Sequence, residues 1–511
     1  WLNRGISAPR VSGATMNRGC NTLVHDGFLE WAESKPERVA VLTNTESISF
    51  GDLSKRCVAI ASMFDRQQVS TVGLCQPNSL AVIEVFFATL MAGGCVYLFD
   101  PSWPHNVLEK LLRLHGPDIL VAPIQKIKAL GDNLQYIRGM TAEDINYLAN
   151  QKPETSMLQC EPRPDTPFLL GFTSGTSGLP KAFIRTHQTW IESFRHSTVE
   201  LETKANDIVI APGPLSHGLS LYAVIEALSV GASVILQTEF DANTVLSSVR
   251  INNASVLVVV PSILDVLIEK GAQQVYPSII RIITAGAKLP SKLRNDMKPI
   301  FPNADIIEYY GASELSFLTV AKASEDCPPN SVGRPFSGVD ISLRNPSGDA
   351  VDNGQVGIIW VKSKMLIRGY VGPTDGSGFR TDGAWGTVGD LGHFDADGFL
   401  YLDGREGSII TSAGYTVYPS GIELVLLSHP SVKDAAVLGL PDARWGEIIA
   451  AVVVLKARPA KYEEDLIAYC KAQMEPYACP RKWQFVQSLS RTASGKVKRS
   501  RLMELFREKE D

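Results

Sequence analysis

The sequence predicts an α/β protein that has a large N-terminal domain of layered sheets and helices and a small α+β C-terminal domain. The chain has 511 residues, which is too many for a single hydrophobic core. Short apolar runs alternate with helical patterns over roughly the first four hundred residues, as they do where helices wrap parallel sheets. The last hundred residues or so carry apolar segments of their own, enough for a separate small domain.

One unit of the large domain can be followed residue by residue. A strand is expected over 69–75, and Asn78 is expected to cap a helix over 79–91. A pair of glycines then ends that helix before the next strand, at 95–99. Further strands are expected over 168–172, 207–211, 232–236, 255–260, 357–361 and 399–402.

A polar segment with two glycines, 404–408, is expected to join the two domains. We therefore predict an N-terminal domain over residues 16–407 and a C-terminal domain over 408–511. The first domain is placed from Met16 because this residue can be the native start, with residues 1–15 a processed tail or a foreign extension. The apolar segments of the C-terminal domain are 422–427, 432–438, 448–455 and 483–486.

Composition and charge argue against several classes of protein. The net charge is −5 and the sequence pI is about 6.0, so no basic surface of the kind that binds nucleic acid is expected. No apolar run reaches about 18 residues, which argues against a membrane span. The eight cysteines are scattered without a C-x-x-C pair, which argues against a disulfide framework and a zinc site. We expect a cytoplasmic protein.

A loop of small hydroxylated residues and glycines follows the strand at 168–172 and predicts a phosphate-binding site. Its backbone N–H groups can approach phosphate oxygens, its hydroxyls add donors, and its final lysine adds positive charge. The alternative is a flexible Ser/Gly linker, although linkers rarely follow a buried strand. Pro180 and Ala182 flank the lysine, so the loop is not a P-loop of the G-x-x-x-x-G-K-[ST] type. The candidate residues are Thr173, Ser174, Gly175, Thr176, Ser177, Gly178 and Lys181.

Together with motifs further along the chain, this loop resembles the adenylate-forming, or AMP-binding, superfamily of acyl-CoA synthetases, peptide-synthetase adenylation domains and beetle luciferases. The resemblance runs from Thr22 to Leu502. It implies a large domain and a small mobile α+β domain with the active site between them. The motifs that carry it occur in the family's order, at 90–101, 173–181, 310–314, 388–390 and 494–499. Two further matches, 333–335 and 369–370, are structural motifs to which no chemistry is assigned.

By this resemblance, Tyr310-Gly-Ala-Ser-Glu314 is the nucleotide and metal motif. Tyr310 is then expected to stack on adenine, with Gly311 beside it. Ser313 is expected to contact the α-phosphate, and Glu314 to bind Mg²⁺. An aromatic face suits a purine, and a hard cation prefers carboxylate oxygen. Without the resemblance, Tyr310 would be interpreted as a core residue and Glu314 as a solvated acid at the start of a helix.

Two further residues are expected to bind ATP. Val388-Gly-Asp390 resembles the motif whose Asp holds both ribose hydroxyls, a role that suits a carboxylate. Val388 stands where the family usually has Thr or Ser, which removes a hydroxyl but leaves Asp390. Arg405 follows at the family's spacing and is expected near ribose or phosphate. The alternative for Arg405 is an exposed arginine between the domains.

The segment 494–499 resembles the family's final motif. Its lysine, Lys496, is expected to bridge the acyl carboxylate and the α-phosphate during adenylation, which suits a point charge on a flexible stem. The alternative is a basic surface tail. Ser408 at the hinge and Gly421 within 419–423 depart from the family's pattern, and they leave the details of domain rotation open.

By the same resemblance, the acyl pocket is expected at the segment 214–222 and at the loop 285–289. No acid stands there to pair with the ammonium group of an α-amino acid, and burying an unpaired ammonium costs on the order of several kcal/mol. We therefore expect an apolar acyl chain first and a small aryl acid second. A β-amino acid stays open if an acid elsewhere in the fold reaches the pocket. The alternative for His217 is a structural role. The predicted pocket residues are His217, Gly218, Leu219, Gly286 and Ala287.

These expectations combine into one predicted function. With ATP and Mg²⁺, a small-molecule carboxylic acid is activated as an acyl-AMP with release of pyrophosphate, and the acyl group then passes to a thiol. Thr173, Glu314 and Lys496 are the predicted catalytic residues. CoA is the favoured acceptor. The alternative is a stand-alone adenylation enzyme that loads an acyl, aryl or β-amino acid onto the phosphopantetheine of a carrier protein in trans. A non-catalytic nucleotide-binding regulator is the alternative from another class, and it has no need for Lys496, Glu314 and Asp390 together.

Overall fold

The computed structural model describes residues 22–43, 46–131, 136–152, 162–173, 179–372, 378–412, 415–442, 444–456, 462–491 and 497–507. In this part of the chain, sheets of nine, seven and six strands are layered with helices, and a five-stranded sheet lies toward the C-terminus. The arrangement confirms the predicted α/β fold with a large N-terminal and a small C-terminal domain. The boundary between residues 407 and 408 stays a prediction.

The described helices mostly lie between strands in sequence. In chain order they are α1 (Asp26–Ser34), α2 (Phe50–Arg66), α3 (Leu80–Met91), α4 (His105–Leu114), α5 (Ile124–Leu130), α6 (Ala142–Ala149), α7 (His187–Glu200), α8 (Gly218–Ser229), α9 (Ala242–Asn252), α10 (Pro261–Gly271), α11 (Ser291–Asp296), α12 (Pro419–Ser428), α13 (Tyr462–Gln473) and α14 (Arg499–Arg507).

The described strands of the three large sheets are, in chain order, β1 (Val39–Leu42), β2 (Ser47–Ser49), β3 (Thr71–Leu74), β4 (Cys95–Leu98), β5 (Ile119–Val121), β6 (Arg138–Met140), β7 (Pro167–Thr173), β8 (Lys181–Thr186), β9 (Ile208–Ile210), β10 (Ser233–Ile235), β11 (Val256–Val259), β12 (Arg281–Thr284), β13 (Asp305–Ala312), β14 (Ser316–Lys322), β15 (Arg334–Pro335), β16 (Asp340–Arg344), β17 (Gly357–Lys362), β18 (Tyr370–Val371), β19 (Arg380–Asp382), β20 (Trp385–Thr387), β21 (Asp390–Phe394) and β22 (Leu400–Arg405). Those of the small sheet are β23 (Ile410–Ser412), β24 (Tyr415–Val417), β25 (Val432–Asp442), β26 (Gly446–Leu455) and β27 (Lys482–Val486).

The nine-stranded sheet is parallel at its centre. Its described strands follow the order β15-β14-β13-β12-β11-β9-β10-β1-β2. The strands from β13 to β1 run parallel, whereas β14, β15 and β2 are antiparallel to their neighbours. Short apolar strands of this kind are buried on both faces, which is why they read as continuous apolar runs in the sequence. The expected parallel sheet wrapped by helices is confirmed.

The other two large sheets stand beside it. The seven-stranded sheet has the order β18-β8-β7-β4-β3-β5-β6, with β7 parallel to β4 and antiparallel to β8. The six-stranded sheet has the order β19-β20-β17-β21-β22, with β16 on the other side of β17. The described pairs of the six-stranded sheet are antiparallel.

The core of the large domain forms where helices α2 and α3 pack between strands. Every residue of α3 from Ala81 to Met91 is buried, because this helix is apolar on all sides. Phe87 stacks on Phe28 with their ring centroids 4.3 Å apart. One acid lies within α3: Glu84 is buried and pairs with Arg56 of α2.

Asn78 does not cap α3, so that expectation is wrong. The N-cap residue is Ser79, and its side chain makes no capping hydrogen bond. The Asn78 side chain is buried and satisfies backbone groups of two other loops instead. Its Nδ2 donates to the carbonyl oxygens of Gly213 (2.9 Å) and Gln237 (3.0 Å), and its Oδ1 accepts from the N–H of Leu215 (2.7 Å). A buried polar side chain needs hydrogen-bond partners, and the buried backbone groups of these loops need them too. If Asn78 capped α3 instead, the backbone groups that it now bonds would lose their partner.

The five-stranded sheet has the order β24-β23-β26-β25, with β27 beside β26. Separate apolar clusters cover its two faces, which gives the small domain its own core. The expected segment at 422–427 is part of helix α12. In that helix, Glu423 accepts a hydrogen bond from the N–H of Val437 (2.8 Å), and Gly421 is exposed. None of the described helices combines the length and the apolar character that a bilayer span requires.

Candidate active site

The predicted nucleotide and acyl segments leave one edge of the nine-stranded sheet. Strands β9, β12 and β13 belong to its parallel centre, so their carboxyl ends lie at the same edge. The segment with His217 follows β9, the loop with Gly286 and Ala287 follows β12, and the turn with Glu314 follows β13. Ligands of open α/β sheets bind outside the carboxyl ends of their parallel strands.

The seven-stranded sheet contributes its own carboxyl ends. Asp100 follows β4, and Thr173 ends β7, the parallel neighbour of β4. Thr173 lies opposite Lys181 in the β7–β8 pair, so the two ends of the predicted phosphate loop are side by side. The middle of that loop, Ser174, Gly175, Thr176, Ser177 and Gly178, lies outside the described residues.

The edges of these two sheets meet at His217. The Nε2 atom of His217 lies 3.0 Å from Oδ2 of Asp100. Burial raises the pKa of Asp100, but the hydrogen bonds from His217 and Ser102 outweigh it, so this pKa lies below its ordinary value. The segment 214–222 contains no acid of its own, as the sequence shows, but the fold brings one to it.

Tyr310, Asp390 and Arg405 come together as predicted for a ribose and adenine site. The Tyr310 hydroxyl donates to Oδ2 of Asp390 (2.5 Å), and Nε of Arg405 lies 3.1 Å from Oδ1. Asp390 and Arg405 are register partners on β21 and β22. Burial, and then the charge of Asp390, raise the pKa of Tyr310 well above its ordinary value, so the phenol keeps its proton and remains the donor. This cluster joins the nine-stranded to the six-stranded sheet.

The turn between β13 and β14 is tight, and Gly311 lies just before it, near the end of β13. A Cβ on Gly311 would lie 2.3 Å from the carbonyl oxygen of Ser316, so any larger residue would push the two strands apart. Ser316 itself has a positive φ of 62°, which is unusual for a residue other than glycine. Strained backbone of this kind is concentrated at functional sites.

Glu314 lies in this turn and is buried, with 7% of its surface exposed, so it is not a solvated acid at a helix start. The Tyr370 hydroxyl donates to its Oε1 atom (2.6 Å). Burial, and then the charge of Glu314, raise the pKa of Tyr370, which keeps this hydroxyl protonated. In the part of the chain that the structure describes, no hydrogen bond to the other carboxylate oxygen is found.

A magnesium ion fits this arrangement. Among the described residues, no group of three or more His, Cys, Asp or Glu side chains lies close enough together to hold a metal. Mg²⁺ in nucleotide sites does not need such a group, because one or two carboxylates, substrate phosphates and waters complete its octahedron. Glu314 would supply the carboxylate.

Two residues at this site have no recognised chemistry in the sequence. Arg185 of β8 is buried and donates to the carbonyl oxygens of Ser313 (2.5 Å) and Met365. Burial lowers its pKa to about 10, and the charge of Glu314 opposes that shift, so the guanidinium stays charged at neutral pH. Arg185 therefore fixes the turn that carries Glu314. A single arginine inside a strand gives no sequence signal for such a role.

Tyr370 is the second of these residues, although its motif is visible in the sequence. Besides donating to Glu314, its phenol oxygen accepts a hydrogen bond from the N–H of Phe379 (3.3 Å). The Nζ atom of Lys181 lies 5.7 Å from the centroid of its ring. Tyr370 therefore links the predicted metal carboxylate to the lysine end of the predicted phosphate loop. The Gly-Tyr pair at 369–370 is the signal that could have found it.

The remaining predicted pocket residues lie at the start of α8 and in the loop after β12. Leu219 is half-buried and lines a cavity beside α8, whereas Gly218, Gly286 and Ala287 are exposed at the edge of the sheet. Lys496 lies outside the described residues.

Replacing Tyr370 with phenylalanine is expected to raise the Mg²⁺ concentration for half-maximal activity about tenfold. The variant loses one hydrogen bond to a charged group, which is worth about 1.5 kcal/mol or more, but keeps the ring and its packing. Titration of adenylation activity with Mg²⁺ at saturating ATP measures the change. Tyr276→Phe is the control, since Tyr276 is buried in another core and its hydroxyl donates to Gln274, far from the predicted metal carboxylate. Equal Mg²⁺ requirements in both variants would refute the role of the Tyr370 hydroxyl.

Comparison with known proteins agrees with this geometry. The chain matches the AMP-binding enzyme family over residues 28–371 and the AMP-binding enzyme C-terminal domain over residues 421–496. The uncharacterized acyl-CoA ligase YhfT of Bacillus subtilis is 34% identical over 95% of this chain and 99% of its own length.

Two more similarities cover nearly the whole chain. The putative long chain fatty acid-CoA ligase VraA of Staphylococcus epidermidis is 29% identical over 92% of this chain and 96% of its own. The structure of o-succinylbenzoate coenzyme A synthetase (MenE) from Bacillus subtilis, in complex with ATP and magnesium ion, aligns with a TM-score of 0.83 and 24% identity. That alignment covers 94% of this chain and 99% of MenE. With both of its domains matched, the chain belongs to the AMP-binding enzyme family.

Proposed function

We propose that this protein is an AMP-forming acid–thiol ligase that activates a carboxylic acid with ATP and transfers the acyl group to CoA. The observation that carries the proposal is the meeting of two clusters at one sheet edge: Tyr310 with Asp390 and Arg405, and Glu314 with Tyr370. The first offers an aromatic face beside a carboxylate, which suits adenosine. The second offers a metal-binding carboxylate next to the ends of a phosphate loop.

In the first half-reaction, an oxygen of the substrate carboxylate attacks the α-phosphorus of ATP. The bond from that phosphorus to the bridging oxygen of the β-phosphate breaks, and pyrophosphate leaves with the electron pair. Such displacement depends mostly on positioning and on neutralising charge. Asp390 orients the ribose, Lys181 and the loop from Thr173 hold phosphate, and Lys496 neutralises charge at the reacting oxygens. Glu314 would hold Mg²⁺, which when bound would neutralise charge on the phosphates.

In the second half-reaction, the thiol sulfur attacks the acyl carbon and AMP leaves. We propose CoA as the thiol because the relatives YhfT and VraA are named acyl-CoA ligases. A carrier protein that presents phosphopantetheine is the other candidate acceptor, since it offers the same thiol. The small domain is proposed to rotate between the two steps about the joint at 404–408.

The proposed substrate is an acid without an α-ammonium group and with a largely apolar acyl part. The segment 214–222 supplies no acid, and Asp100, an acid that the fold brings to His217, already pairs with that histidine. A non-catalytic regulator would not require the Mg²⁺ carboxylate Glu314 to be held by Tyr370. We place the enzyme in the cytoplasm, where ATP and CoA are available.

The decisive experiment identifies the products from ATP. With Mg²⁺ and a panel of fatty, aryl and β-amino acids, we expect AMP and pyrophosphate, and isotope exchange between pyrophosphate and ATP without any thiol. Release of ADP and phosphate would refute adenylation. Addition of CoA or a phosphopantetheinylated carrier protein in separate reactions then identifies the acceptor, and turnover with the carrier alone would refute CoA.

A further inference from the structure

The turn that follows β4 contacts both halves of the proposed site. Asp100 begins this turn and Trp103 ends it, and the N–H of Trp103 donates to the carbonyl oxygen of Asp100 (3.1 Å). The Asp100 side chain closes the turn a second time, because its Oδ1 atom accepts from the N–H of Ser102 (2.8 Å). Pro101 stands at the second position, where turns favour the fixed φ of proline. The turn therefore holds Asp100 and Trp103 in a fixed relation to each other.

The first residue of the turn holds His217. Asp100 is buried, and its Oδ2 atom lies 3.0 Å from Nε2 of His217. An ionised carboxylate only accepts hydrogen bonds, so Nε2 carries the proton of this pair. Among the described residues, no hydrogen bond to Nδ1 of His217 is found. Asp100 thus fixes the ring orientation and leaves Nδ1 for a ligand in the predicted acyl pocket.

The last residue of the turn packs against the start of the predicted phosphate loop. The Trp103 ring meets Phe172 edge to face, with the ring centroids 5.3 Å apart. Phe99, just before the turn, also contacts this ring, again with centroids 5.3 Å apart. Phe172 directly precedes Thr173, and Leu179 on the far side of the loop packs against the same apolar cluster. The cluster therefore holds the chain on both sides of the loop.

These contacts lie where small displacements matter for catalysis. Strands β4 and β7 are parallel neighbours, so the turn and the loop both leave their carboxyl ends, the edge at which ligands of such sheets bind. A misplacement of about 1 Å at a reacting group can cost about 10²-fold in rate. A residue that touches neither substrate can therefore act on the reaction by fixing those that do.

We infer that the turn 100–103 is a positioning element for both substrates: Asp100 orients His217 toward the acid, and Trp103 holds the phosphate loop for ATP. This inference rests on the proposed function and refines it, because it assigns roles to two residues that act through others. It follows that the binding of each substrate can be weakened separately from the same turn.

The test of Asp100 uses pyrophosphate exchange with the acid of the panel above that exchanges fastest. Asp100→Asn keeps the turn, because the amide oxygen can still accept from Ser102. It presents an NH₂ group to Nε2, however, and so reverses the tautomer of His217. We expect KM for the acid to rise about tenfold while KM for ATP stays within about twofold.

The test of Trp103 should give the opposite pattern. Trp103→Leu removes the ring that contacts Phe172, and we expect KM for ATP to rise about fivefold while KM for the acid stays within about twofold, the scale of one aromatic pair. Phe172→Leu removes the other ring of the same contact and should give the same result. It decides the question if Trp103→Leu does not fold.

The control is Trp360→Leu, because Trp360 is a half-buried tryptophan of β17 whose ring contacts Arg344 instead. Its replacement should lower stability and leave both KM values unchanged. Equal rises of both KM values in Asp100→Asn or in Trp103→Leu, or no rise in the expected one, would overturn the inference and make the turn a purely structural element. Exchange with none of the acids in the wild-type protein would count against the proposed function itself.

Discussion

Replacing Glu314 with glutamine is expected to slow acyl-adenylate formation by about 10²–10³-fold, the usual effect of removing one preorganised group that stabilises developing charge. The amide keeps the size of the side chain and can still accept from Tyr370, so the turn should persist. It lacks the negative charge that Mg²⁺ requires. Pyrophosphate exchange measures the rate, and a Mg²⁺ titration should show a higher half-saturation in the variant.

The matched control is Glu308→Gln. Glu308 lies in β13, the strand that precedes the Glu314 turn, is also buried, and accepts from Lys288, Arg294 and the N–H of Leu289. Its replacement should lower stability without changing the Mg²⁺ requirement. If the two variants shift the Mg²⁺ requirement alike, Glu314 is a structural acid and the proposed metal site is wrong.

Replacing Lys496 with alanine is expected to reduce the first half-reaction by about 10²–10³-fold while the second is largely preserved. The ammonium is proposed to neutralise charge between the acyl carboxylate and the α-phosphate only during adenylation. In the proposed cycle it has left the site before the thiol attacks. Pyrophosphate exchange reports the first step, and thioester formation from supplied acyl-AMP reports the second.

Lys498→Ala is the control for Lys496, since Lys498 is an exposed neighbour of the same sign. Its replacement should leave both half-reactions within about twofold, the scale of a surface charge. Equal losses in both steps for Lys496→Ala would mean that the lysine supports the fold, or that the two domains do not alternate.

The parallel strands were accessible from sequence because burial on both faces gives them a short, continuous apolar pattern. Strands such as β9, β10 and β11 are bounded by polar turns and fall within the predicted segments. Likewise, the ordered motifs led to Tyr310 and Asp390, which the fold brings to 2.5 Å from each other. Their contact spans 80 positions and joins two sheets, so no local periodicity contains it.

Other features of the structure could not be inferred from the sequence, because they depend on contacts between elements that are distant in the chain. Asn78 stands where a helix cap is expected, but its partners are backbone groups of loops more than a hundred residues away. Arg185 is a charged residue within a buried strand, and its partners lie on other elements. Their roles depend on which surfaces face one another, and this is decided by the packing of whole sheets rather than by neighbouring residues.

The three sheets are joined at the site by pairs that each contain at least one predicted ligand residue: His217 with Asp100, Tyr370 with Glu314, and Tyr310 with Asp390. A nucleotide that contacts all three sheets would stabilise their packing against one another. Its binding free energy would then be linked to the free energy of assembling the three sheets. At a concentration a hundred times its dissociation constant, such a ligand adds about 2.7 kcal/mol to the stability of the folded state. By the same linkage, a substitution that loosens the packing between two sheets weakens nucleotide affinity even when it lies far from any ligand atom.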